Sequence, residues 1–299
     1  MLAEVISIQE QLQEKWLVFW WSLAVGLGII SLAWRQGFFI PLKANPLPYI
    51  RGIDVLKGFG FFLFAELLLV PALVVLVFNL GGENLYSSHF LTLQMRGWLN
   101  LLIILGGFGA VLIVYFELTA TQRRQLWWQT ETSWYVHIGT GIIAWFVSYP
   151  LVLAFSQGLS LVLWHIFHHP FIEQVAVQHV RHILANPLLF GLTALAIVTL
   201  VPVTEEFLFR GLLQTWLKHK FHHTWAAIAL SSLVFALFHY STQQGVTNIE
   251  LLSSLFLLSC MLGYIYERQR SLWASVGLHG FFNLMSLLMI FQDSTSLHS

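Results

Sequence analysis

The chain has 299 residues, of which 57% are hydrophobic and 9% charged, and its mean hydropathy is +0.73. Soluble domains carry about 25% charged residues, so this composition excludes a water-exposed globular surface and points to an all-α bundle crossing a lipid bilayer. Formal net charge is zero, which leaves no basic field to attract nucleic acid.

Taken in order, the first 15 residues set Glu4, Glu10 and Glu14 against Lys15, unlike the positive start of a cleavable signal. Apolar stretches of bilayer length, about 20 residues each, are expected at 16–34, 58–80, 97–116, 136–165, 188–217, 224–240, 250–266 and 272–291. The bundle should therefore cross about eight times. Pro150 and Pro202 fall inside the two longest runs, where a kink or break is expected. Residues 35–57, with Pro41, Pro46 and Pro48, read as a loop, and Phe171–Ala185 as a helix lying in the membrane interface. Loops on one side hold Arg35, Lys43, Arg51, Lys57, Arg123, Arg124, Lys218, Lys220, Arg268 and Arg270, whereas the other side holds Lys15, Arg96 and Arg181. The positive-inside rule puts the first set in the cytoplasm and both termini outside, in what is expected to be the cell membrane.

Ionisable groups inside a bilayer are costly, and each is a functional hypothesis by default. Here they are Glu66, Glu205, Glu206, Arg210, His137, His239 and His279. Glu66 reads as a partner for a polar group on a neighbouring span. In the stretch TEEFLFRG, Glu206 and Arg210 stand four apart and meet on one helix face. Glu205 is rotated by about 100° from Glu206, so Arg210 pairs with only one carboxylate and Glu205 is left as a candidate general base. FALFH ends the sixth run at His239, and HGFFN sets His279 and Asn283 on one face of the last. Counted from the cytoplasmic helix starts, Glu205, His239, His279 and Asn283 lie roughly 20, 22, 11 and 17 Å deep. All four levels fall within the membrane.

Simpler readings compete. Glu206 with Arg210 also suits a structural ion pair, His239, His279 and Asn283 also serve as interhelical glue, and a proton-coupled transporter or a non-catalytic scaffold or immunity-type protein would use the same residue types. The histidines 165, 168, 169, 179 and 182 gather at the outer boundary, and the pairs Trp20-Trp21 and Trp127-Trp128 read as interfacial anchors. Asp54 and Asp293, the two aspartates, are not deep in any span, which excludes an aspartyl dyad. An H-E-x-x-H helix and a G-x-S-x-G elbow are also missing.

The order Glu205-Glu206-Phe207-Leu208-Phe209-Arg210, then Phe235…His239, then His279…Asn283, with the lead-in TLVPVTEEFLFRGLL, resembles the CAAX-protease and bacteriocin-processing (CPBP, or Abi) family of intramembrane peptidases. The resemblance covers roughly residues 187–290, so 187–292 form the expected core and 1–186 an N-terminal region of about four spans plus the interfacial helix. It implies an intramembrane cavity open to the cytoplasm, and hydrolysis of a peptide or protein substrate. By that analogy Glu205, helped by His239, activates water, His279 and Asn283 stabilise the oxyanion, and Glu206 with Arg210 shapes the site. It implies a glutamic mechanism without a cofactor, the alternative being zinc held by Glu205, His239 and His279.

Overall fold

The computed structural model describes residues 2–40, 48–80, 93–128, 131–168 and 174–296. They are helical, with no strand among the described residues. The elements are α1 (Leu2–Arg35), α2 (Gly52–Phe64) leading through a π-helical turn (Ala65–Leu69) into α3 (Val70–Leu80), α4 (Leu93–Glu117), α5 (Ala120–Trp127), α6 (Trp134–Phe167) and α7 (Val175–Ile183). There follow α8 (Pro187–Glu206), which passes through a second π-helical stretch (Phe207–Gln214) into α9 (Thr215–Phe221), then α10 (Thr224–Leu237), a 3-10 turn (Thr242–Thr247), α11 (Asn248–Gln269) and α12 (Leu272–Ser296).

Seven helical stretches are long and apolar enough to cross a bilayer: Gln9–Arg35, Gly52–Val77, Gln94–Glu117, Trp134–Phe167, Pro187–Phe221, Thr242–Gln269 and Leu272–Ser294. Their outward faces carry large apolar side chains such as Leu67, Leu68, Leu73, Leu76, Ile143, Leu195 and Leu288, as lipid contact requires and water forbids. The protein is thus an integral, multi-pass membrane protein with an all-α bundle. The sixth expected span, 224–240, differs. Thr224–Leu237 is apolar but has only 14 residues, too few to cross by itself at 1.5 Å per residue.

Other expectations are met in altered form. Pro150 and Pro202 both lie inside continuous helices, so neither breaks its span. Between α1 and α2 the residues 41–47 lie outside the described set, as do 169–173, so the interfacial helix is seen as Val175–Ile183, with Val180 and Ile183 buried. Trp20 and Trp21 are exposed. Trp127, by contrast, is a core residue, its ring centroid 4.5 Å from that of Trp273, because the α5 backbone is tied to the α11–α12 turn by the Ser271 hydroxyl donating to Trp127 O at 2.6 Å.

Packing around α12 positions the site. α6, α8 and α11 all pack against it, and small residues allow the backbones to touch. A Cβ added at Gly141 would lie 2.2 Å from Ala274 O, one at Gly277 would lie 2.6 Å from Ile138 O, and one at Gly280 would lie 2.7 Å from Val198 O. Close approach through small residues is the usual means of helix association in lipid. It wedges the His279 turn of α12 between α6 and α8. Gly277→Ala is therefore expected to destabilise the protein by about 1–3 kcal/mol, the cost of overpacking, read as a lower melting temperature in detergent. A second group of helices, α2, α4 and α9 with the Phe207–Gln214 stretch, shares a core of Val55, Val111, Val114, Leu208, Leu212 and Leu217.

Candidate active site

The site is built where α8 loses its regular hydrogen bonding. Asn186 caps this helix, its Oδ1 accepting from Leu189 N at 3.1 Å, and Pro187 follows at the first position, where a missing N–H does no harm. Pro202 then withholds an N–H from Val198 O, the carbonyl that Gly280 of α12 closely approaches. One residue earlier, Ile197 O accepts from Asn283 Nδ2 at 2.9 Å. Beyond Glu206 the turns widen to π-helix, and Thr215 Oγ1 donates to Arg210 O at 2.9 Å. Such π-segments are frequent at functional sites.

Glu206 and Arg210 are fully buried and paired, Arg210 Nη1 donating to Glu206 Oε1 at 2.8 Å. The rest of the guanidinium reaches α11, where Nη2 donates to Ser259 Oγ at 2.7 Å and to Ser259 O at 3.0 Å, and its carbon lies 4.9 Å from the centre of the Phe235 ring. His279 joins from α12, its Nδ1 hydrogen-bonded to Glu206 Oε1 at 2.8 Å. A carboxylate oxygen already accepting from arginine accepts again here, so Nδ1 carries the hydrogen and the tautomer is assigned by this partner. His279 Nε2 then points to Glu205, 3.7 Å from its Oε2.

Glu205 differs from Glu206 in exposure and in pairing, although Oε2 of each is without a hydrogen-bond partner among the described residues. Its side chain is 19% exposed where that of Glu206 is 0%, and its Oε2 has no hydrogen-bond partner among the described residues. One carboxylate is thus locked in a pair and its neighbour is available. His239, just past the end of α10, is half-buried and its Nδ1 lies 2.8 Å from Phe235 O. A carbonyl can only accept, so Nδ1 carries the hydrogen and Nε2 is an acceptor. His239 and Glu205 form no ion pair or hydrogen bond with each other. The ring instead lies against Phe235, with centroids 4.7 Å apart, and Phe235 also touches His279 edge-on at 6.0 Å. Phe235 is therefore the common floor beneath Arg210, His239 and His279.

Several contributors carried no sequence signal. Ser259 is one serine among many on an apolar helix. Gln214, also fully buried, donates to Gly263 O at 3.1 Å and Glu267 Oε1 at 3.4 Å; its spacing of one turn from Arg210 could have suggested it. Glu267 in turn pairs with Lys218 at 2.5 Å and Arg270 at 3.3 Å, which closes the basic end of the bundle.

Glu66 does not find the polar partner expected of it. It lies in the π-helical turn that continues α2, makes no hydrogen bond among the described residues, and is in electrostatic reach of Glu205. Glu205, His239 and His279 do not close into a ligand set, and no three His, Cys, Asp or Glu side chains among the described residues could hold a metal ion. On α7, His179 hydrogen-bonds Asn100 (Nε2 to Nδ2, 2.9 Å), and burial, with His182 adding a smaller effect, pushes its pKa down.

A family model described as Type II CAAX prenyl endopeptidase Rce1-like matches residues 187–285. No curated protein and no solved structure matches the chain. The matched segment starts at the first turn of α8 and ends just past Asn283, so it contains Glu205, Glu206, Arg210, His239, His279 and Asn283. Residues 187–285 of this chain are therefore similar to the Rce1-like type II CAAX prenyl endopeptidases.

Proposed function

We propose that this protein is an intramembrane endopeptidase in which Glu205 activates the water that cleaves a peptide bond. One observation carries the reading: of two adjacent intramembrane glutamates, Glu206 is neutralised by Arg210 while Glu205 remains unbonded beside His279. A buried ion pair alone would need only one carboxylate. In the reaction, water oxygen attacks the carbonyl carbon as its proton passes to Glu205, and His239 Nε2, an acceptor in its assigned tautomer, supports this transfer. The C–N bond then breaks, and Glu205 returns the proton to the leaving amine. Asn283 retains a second amide hydrogen for the oxyanion, and His279 adds Nε2–H when its ring carries both protons.

The description of the matched family, a CAAX prenyl endopeptidase, supports a prenylated CAAX peptide as the substrate to test. Purified protein in liposomes is expected to cleave a farnesylated cysteine peptide into two fragments resolved by mass spectrometry. A folded protein that leaves the peptide intact would return the chain to the scaffold reading, and proton flux in the same liposomes would favour a transporter. Asn283→Ala should lower kcat about a hundredfold or more, the scale of one lost oxyanion donor. Its loss of stability should stay near 0.6 kcal/mol, typical of an interhelical hydrogen bond in lipid.

A further inference from the structure

Glu66 is the intramembrane carboxyl group that the proposed chemistry does not use. The contacts of α2 fix where it lies. A Cβ at Gly52 would meet Trp216 at 3.3 Å, one at Gly58 would meet Leu212 at 2.6 Å and Leu208 at 3.1 Å, and the Phe59 ring lies 5.1 Å from Phe209. As numbers rise along α2 they fall along its partner, so the helices run antiparallel. Continued by two turns, this ladder brings residue 66 opposite the turn from Pro202 to Glu205. The electrostatic coupling of Glu66 to Glu205 agrees with that placement.

No hydrogen bond to a described residue holds the Glu66 carboxyl group. On the α4 side stands Gly107, where an added Cβ would come within 2.9 Å of Glu66 Oε1 and 3.0 Å of the Phe62 ring. Glycine there lets the carboxyl group sit against the α4 backbone. The backbone of α2 also departs from α-geometry at this point, the π-helical turn beginning at Ala65. A carboxyl group with no protein partner inside a membrane is expensive to keep, whereas leucine, which fills the next three positions, would be cheap.

Building on the hydrolytic reading of Glu205, we infer that Glu66 is a third carboxyl group of the site, one that hydrogen-bonds to the main chain of a bound peptide. It acts on the side of Glu205 that faces the Pro187 end of α8. An extended peptide lying against Glu205 advances about 3.3 Å per residue, so Glu66 meets the backbone a residue or two from the scissile bond. Its work is to hold the peptide in place, and it moves no proton in the reaction.

The test uses the full-length protein in detergent and a dansyl-labelled farnesyl-cysteine peptide, with binding measured in the Glu205→Gln background and turnover in the wild-type background. Glu66→Leu is expected to weaken binding and raise KM at least about tenfold, with kcat changed less than about threefold and an unfolding temperature no lower than wild type. Glu66→Gln keeps a hydrogen-bonding group of the same size and should restore binding to within about threefold. Gly107→Ala, which crowds the carboxyl group without removing it, should weaken binding in the same direction. Wild-type affinity and KM in Glu66→Leu overturn the inference and leave the hydrolytic reading standing. Peptide binding that depends on Glu66 without turnover in any variant overturns the hydrolytic reading instead, and a wild type that does not bind the peptide overturns both.

Discussion

Glu205→Gln is expected to reduce kcat at least about a hundredfold, the lower end of what a positioned general base contributes, with no loss of stability. The argument is one of chemistry against packing. Glutamine has nearly the size and shape of glutamate but cannot take a proton from water. Glu205 has no hydrogen bond from Oε2 to lose, and its contact with His279 is 3.7 Å, too long for a hydrogen bond of consequence. Removing the charge also relieves its repulsion of Glu206 and Glu66. The unfolding temperature should therefore stay at or above the wild-type value. Cleavage of the farnesylated peptide, followed by mass spectrometry beside thermal unfolding, separates the two effects. Retained turnover would remove Glu205 from the reaction, and a collapse in stability would make it a structural group.

Arg210→Met should do the opposite, damaging the fold first. The arginine is fully buried and joins three helices, through Glu206 on α8, Ser259 on α11 and the Phe235 ring on α10. Methionine fills much of the volume but abandons Glu206, which keeps only His279 as a donor. Breaking a buried pair by removing one partner costs about 3–5 kcal/mol, because the remaining charge stays uncompensated. A lower unfolding temperature and poor recovery from the membrane are expected. Arg210→Lys should rescue little, since one ammonium cannot span Glu206 and Ser259 as the forked guanidinium does. The double change Glu206→Gln with Arg210→Met removes both charges and should recover a good part of the lost stability. An Arg210→Met protein as stable as wild type would mean that the pair is not what joins these helices.

The two predictions divide the TEEFLFRG segment into a reactive member and a structural pair, and that division was already legible in the spacing. Residues four apart on a helix share a face whatever surrounds them, so the partnership of Glu206 with Arg210 is a local property. The spans were legible for a similar reason. Lipid imposes length and apolarity on each crossing separately, and no knowledge of neighbours is needed to see it. The exception is Thr224–Leu237, whose apolar run extends past the helix end because Phe238 and His239 turn away into a bend.

Relations between helices were not legible, because they depend on which distant faces meet. Nothing in HGFFN indicated that His279 would bond Glu206 and approach Glu205, or that Asn283 would reach Ile197 O on α8. That outcome rests on Gly141, Gly277 and Gly280, which let α12 sink between α6 and α8. Ser259 and Gln214 became site neighbours only through α11 packing across the π-helical stretch. The same holds for Trp127, buried by its contact with Trp273 rather than anchored at the interface. Glu66 shows the boundary most clearly. Its cost in the membrane marked it from composition and position alone, whereas its neighbour could be known only from the antiparallel register of α2 against the Phe207–Gln214 stretch and α9. Sequence by itself determined a membrane bundle with paired and unpaired glutamates on one helix. Tertiary packing decided which groups from the other helices those glutamates meet, since side-chain periodicity is set within a helix and contact between helices is set by the shape of both.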